Sequence, residues 1–111
     1  LFLLDGNTSL LENMVAINLL RKYGRNDAIY FYNQNIEIDF YIPDDYTAIQ
    51  VCYNLDNNEG TFDREVKALL KITEVLECRQ LLIITRDTEQ TIEMNGKTIK
   101  VVPIWKWLLS L

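Results

Sequence analysis

The stretch I-E-I-D-F-Y-I-P-D-D-Y-T-A-I-Q-V-C-Y at residues 36–53 decides the fold. In its first half Ile36, Ile38, Phe40 and Ile42 alternate with Glu37, Asp39 and Tyr41, the two-residue period of a strand with one apolar face. Pro43-Asp44-Asp45 reads as a turn, because Pro fixes φ and Asp bonds its own backbone. A second strand is expected from 47 to 53, with Ile49, Val51 and Tyr53 on one side and Ala48, Gln50 and Cys52 on the other. A short turn makes the two strands antiparallel neighbours. Asp39 should then lie near Gln50 and Cys52 on a shared polar face.

The chain's 111 residues suffice for one domain with one core. With 49% apolar and 24% charged residues it has the composition of a folded globular protein. A net charge of -5 argues against a surface built mainly for phosphate backbones, whose affinity comes from Lys and Arg displacing counterions. The charge is uneven. Acids crowd the middle at Glu37, Asp39, Asp44, Asp45, Asp56, Glu59 and Asp63, while Arg21, Lys22 and Arg25 cluster near the end of the first expected helix.

Two cysteines and no histidine count against a structural zinc site and against imidazole-based catalysis. No apolar run is long enough to span a bilayer, so no membrane partner is expected and the location should be cytoplasmic. The chain opens in the apolar run Leu1-Phe2-Leu3-Leu4 without an initiator Met and reads as a fragment of a longer protein.

Working outward, Asp5-Gly6-Asn7 suggests a turn, followed by a helix over 9–23 that Gly24 stops. Leu11, Met14, Val15, Asn18, Leu19 and Tyr23 are spaced for its buried face, which Leu10 and Ile17 widen. Ser9 and Glu12 fit a capping box. A strand over 28–32 and an Asn33-Gln34-Asn35 turn precede the central pair. A polar loop over 54–60 leads to a helix over 61–76, capped by Thr61, with Phe62, Val66, Leu69, Leu70, Thr73 and Leu76 inward. Asp63, Lys67, Lys71 and Glu74 face outward, and Arg64-Glu65 reads as a surface pair at the helix start.

The continuous apolar run at 81–85 predicts a strand covered on both faces. Residues 91–94 and 98–102 form a hairpin around Asn95-Gly96, and Pro103 opens a short helix carrying Trp105 and Trp107, both expected to pack on the body. The fold class is therefore α/β. A mixed central sheet with flanking helices follows the order α-β-β-β-α-β, then a hairpin and a terminal helix.

That order resembles the core of the restriction-endonuclease-like, or PD-(D/E)XK, superfamily. More specifically, the chain is similar to the C-terminal domain of uncharacterised prokaryotic AAA-type ATP-binding proteins. The similarity rests on L-L-E-N-M-V-A-I-N-L-L at 10–20, E-I-D-F at 37–40, A-I-Q-V at 48–51, R-E-V-K-A-L-L at 64–70, L-L-I-I-T at 81–85 and N-G-K-T-I-K-V-V-P-I-W-K-W-L-L at 95–109. The resemblance implies one restriction-endonuclease-like domain over 1–111, behind a P-loop ATPase part that would hold ATP. The chain has no G-x-x-x-x-G-K-[ST] of its own, so no cofactor is expected in it except Mg²⁺ if the nuclease site is retained.

The resemblance also implies a site of a first-helix Glu, a strand Asp and an acid-x-Lys motif on the next strand. Two carboxylates would hold Mg²⁺, which activates water, and the Lys would stabilise developing charge. Glu12 matches the helix acid and Asp39 the strand acid, the two candidate metal ligands; Gln50 stands in place of the second acid and Cys52 in place of the Lys. Gln50 offers an oxygen without charge, and a thiol cannot replace an ammonium. Lys67 or Lys71 could serve as a displaced lysine.

Three readings stand open. The first is a non-catalytic, degenerate nuclease-fold accessory domain, an interaction or nucleic-acid-associated module that works with its own ATPase domain, nucleic acid or another protein. The second is an active Mg²⁺-dependent nuclease with a displaced lysine. The third is a dimerisation or docking domain that uses the Trp-bearing terminal helix, with a homodimer as one outcome.

Overall fold

A computed structural model describes residues 6–24, 29–33, 35–53 and 60–111. The elements run α1 (Gly6–Tyr23), β1 (Tyr30–Asn33), β2 (Glu37–Ile42), β3 (Thr47–Val51), α2 (Thr61–Ile72), β4 (Gln80–Thr85), β5 (Gln90–Met94), β6 (Lys97–Pro103) and α3 (Ile104–Ser110). This is the order the periodicity predicts. The opening run at 1–4, Arg25, Ala28, Gln34 and the loop at 54–59 lie outside the described residues.

The six strands form one mixed sheet in the order β1-β2-β3-β4-β6-β5. β3, β4 and β6 are parallel neighbours, and the pairs β1·β2, β2·β3 and β5·β6 are antiparallel. α2 connects β3 to its parallel neighbour β4, the crossover that parallel pairing requires. One face is covered by α1 and α3 over Phe40, Ile42, Ile49, Val51 and Ile84. The other is covered by α2 over Ile38, Tyr41, Ala48, Ile83 and Val101. Every side chain of β3 is buried, because helices cover both of its faces.

Several local expectations need correction. Ser9 lies inside α1, which already runs from Gly6, so it is not the residue that caps the helix. Leu11, Val15 and Leu19 are buried as their spacing requires, but Leu10, Met14 and Ile17 are exposed and Ala16 takes part in the core. Small Ala16 lets α1 approach the sheet along a narrower stripe. In α2 Gly60, with φ +81°, precedes the first turn, and Thr61 is already helical. The helix ends at Ile72, a core residue outside the predicted stripe. Asn95 and Gly96 both have positive φ, as the expected tight hairpin demands. Trp107 is buried, but Trp105 is 58% exposed and does not anchor α3.

The largest departure is in β2. Strict alternation would put Ile38, Phe40 and Ile42 on one face, but Ile38 packs with Tyr41 under α2 while Phe40 and Ile42 pack under α1 and α3. The pairing with β1 shows why: Tyr30 opposes Tyr41 and Tyr32 opposes Ile38. Asp39 and Phe40 together therefore face a single residue of β1, a β-bulge that turns the strand and re-aims Asp39. The shared polar face does not exist either, since Gln50 and Cys52 are buried. No helix among the described residues is long and apolar enough to cross a membrane.

Candidate functional site

The β2–β3 ladder pairs Phe40 with Ile49, Tyr41 with Ala48 and Ile42 with Thr47. Beyond Phe40 the bulge parts the two strands, and side chains take over from the ladder. The Asp39 backbone N–H donates to the Gln50 side-chain oxygen at 2.9 Å, and the Gln50 amide nitrogen donates to the Glu37 carbonyl at 2.9 Å. In return the Val51 backbone N–H donates to an Asp39 carboxylate oxygen at 2.8 Å. Asp39 and Gln50 thus lace the parted strands together by three bonds. Orphaned buried backbone groups would otherwise cost more than those bonds yield.

Two further acids converge on this point. Glu12, half-buried on α1, comes from one side of the sheet, and Glu65, half-buried on α2, comes from the other. Burial, then repulsion from Asp39, pushes the Glu12 carboxyl up to about 7. Burial also raises Asp39 to about 6, opposed by the bond from Val51 and reinforced by Glu37. Glu65 rises furthest, to about 8, through burial and then repulsion from Asp39 and Glu12, with Arg64 pulling the other way. The Asp39 charge thus acts on both Glu12 and Glu65. Among the described residues no three acid, Cys or His side chains are gathered closely enough to hold a metal ion.

Of the residues singled out in the sequence, Asp39 and Gln50 are bonded to each other and Glu12 feels the Asp39 charge. Cys52 does not share their polar surroundings: its side chain lies in the apolar cluster under α2, and its N–H donates to the Ile84 carbonyl at 2.9 Å. Lys67 and Lys71 are exposed and line a groove of about 450 Å³ with Asn95 and Lys97, beside the β5–β6 turn. The charges that act on Asp39, Glu12 and Glu65 are one another's, with those of Glu37 and Arg64. Glu65 is the site residue that sequence reading missed. Its place near the start of α2, after an acidic stretch, looks the same for a solvent-facing acid as for one turned to a site.

The sequence profile of the family described as a domain of unknown function, DUF4143, matches residues 7–107. The chain is also similar to the uncharacterized protein MJ1544 of Methanocaldococcus jannaschii, with 36% identity over 110 residues. That alignment covers 91% of this chain but 24% of the relative, so the chain spans about a quarter of that protein's length. No solved structure matches.

Proposed function

The chain belongs to the DUF4143 family, and from that premise we propose that it is a non-catalytic accessory domain with a nuclease-like fold. In this reading it sits at the C-terminus of an AAA-type ATP-binding protein and serves interaction rather than cleavage. The relative, some four times the aligned length, leaves room for such an ATPase part. One observation carries the reading: the Gln50 amide is occupied on both sides by the backbone of β2. At the position where the resemblance calls for a second metal-binding acid, this chain has a neutral brace. Cys52 supports the same reading, since a thiol packed among apolar side chains gives no positive charge to a leaving group.

The mutual repulsion of Glu12, Asp39 and Glu65 favours a second reading, because a bound Mg²⁺ would relieve it. In that reading the acids hold the ion and a lysine comes from outside the motif. Lys67 and Lys71 give it little support, being placed with Lys97 and Asn95. Exposed Trp105 and Leu109, one helical turn apart on α3, favour the docking reading and would meet the ATPase part or a second copy.

Incubation of the chain with single- and double-stranded DNA and RNA, in Mg²⁺ or Mn²⁺, separates these readings. The accessory-domain reading expects no metal-dependent cleavage and the same background in Asp39→Asn. Cleavage that requires the metal and disappears in both Asp39→Asn and Glu12→Gln, with folding confirmed by circular dichroism, would overturn it.

A further inference from the structure

The sheet face under α1 and α3 carries a groove of about 790 Å³ whose lining includes none of Asp39, Gln50 and Glu12. Asp39, Gln50 and Glu12 lie at the start of β2, the end of β3 and the first half of α1. The groove runs instead from the end of β2, the starts of β3 and β4 and the last turn of α1, along β6 to Val102, and beside α3. Its floor is apolar, formed by Ile42, Ile49, Leu82 and Trp107. Around it stand Lys22, Arg79, Lys100 and Lys106, all exposed. Four of the eleven Lys and Arg residues thus line one groove in a chain of net charge -5, with Asp45 as the one carboxylate in the lining.

The cations are available to a ligand. Arg79 stacks on the Tyr46 ring at 4.5 Å and lies 3.6 Å from Glu77, and Lys106 pairs with Glu89. Both ion pairs are exposed, and exposed pairs are worth about 0–1 kcal/mol, so an incoming carboxylate can displace them. Lys100 makes no ion pair among the described residues.

We propose that this groove binds an acidic, amphipathic segment of a partner protein, with its apolar side chains on the floor between α1 and α3 and its carboxylates on the surrounding cations. Charge complementarity selects the occupant. A nucleic acid would bring phosphates in a row but no apolar side chains for the floor. A second copy would have to bring its acidic end to the groove. The carboxylates there, Glu12, Asp39 and Glu65, are partly buried rather than presented at the surface. The proposal rests on the reading of the chain as an interaction module, but not on the loss of nuclease activity. Cleavage by the chain would overturn that loss and leave the groove's test intact.

The test is fluorescence anisotropy with a labelled peptide of alternating Leu and Glu. An otherwise identical Leu/Gln peptide, a Leu/Lys peptide and a labelled thymidine oligonucleotide are run beside it. The wild-type chain is compared with Lys100→Glu and Lys22→Glu/Lys100→Glu, whose folding is checked by circular dichroism; both sites are exposed. The Leu/Glu peptide is expected to bind saturably, to weaken with salt and to lose about tenfold in the double variant, which gains affinity for the Leu/Lys peptide. Equal binding of the Leu/Gln peptide, unchanged affinity in the double variant, or tighter binding of the oligonucleotide would each overturn the proposal.

Discussion

The two ends of this sheet solve opposite problems with charge. At one end Glu12, Asp39 and Glu65 are crowded and partly buried, and two of the side chains there hold the backbone of parted strands. Towards the other, Lys22 and Arg79, with Lys100 and Lys106 further along the groove, stand exposed around an apolar floor. α1 spans the two, with Glu12 in its first half and Lys22 in its last turn. The net charge of -5 hides this polarity. Asp39 and Gln50 at the acidic end are structural members whose removal should destabilise the chain, while the cations around the groove are surface groups whose removal should change mainly binding.

The largest contrast is expected for Gln50→Leu against Lys100→Gln. The first leaves the Asp39 N–H and the Glu37 carbonyl without the Gln50 amide, and should destabilise by about 2–4 kcal/mol in urea unfolding. The second should stay within about 0.5 kcal/mol. Equal losses at the two positions would erase the distinction between the ends.

Next in size is a pH effect confined to the acidic end. Carboxyls raised to about 7, 6 and 8 bind protons more tightly in the fold than in the unfolded chain. Their contribution to stability is complete below the unfolded values near 4 and is lost as pH rises through 6 to 8. The melting temperature should therefore fall between about pH 5 and about pH 9, by roughly 5–10 °C after allowance for solvent screening. Glu65→Gln should flatten that slope and raise stability at the alkaline end. A steeper slope in the variant would show that Glu65 is not one of the repelling group.

The smallest expected effect lies beside the groove, where the Tyr23 hydroxyl donates to Asp45. Burial and this bond both raise the Tyr23 hydroxyl above its ordinary range. Tyr23→Phe should cost about 0.5–1 kcal/mol and leave the pH slope untouched. A flattened slope in Tyr23→Phe would mean that the two ends are coupled through α1.

The order of elements was legible because each rests on a local signal: period-two runs at 36–42 and 47–53, an apolar run at 81–85 and Asn95-Gly96. The meeting of Asp39 with Gln50 was legible too, since a short turn fixes which residues oppose each other. The bulge was not. Ile36, Ile38, Phe40 and Ile42 alternate without a break in the sequence, and the flip between Ile38 and Phe40 is imposed by pairing with β1 and by α2. Glu65 was missed because amphipathic spacing separates inward from outward positions but does not tell a site from solvent. The groove was invisible for a simpler reason. Lys22, Arg79, Lys100 and Lys106 are scattered over most of the chain and share a place only once the sheet has formed.

Calorimetric titration of Mn²⁺ into the chain near pH 7.5 tests most directly whether the acidic end is a brace or a metal centre. With a neutral amide at Gln50 and one Asp39 oxygen held by Val51, no saturable heat is predicted, and Asp39→Asn should look the same as wild type. A one-site isotherm that vanishes in Asp39→Asn would contradict the account.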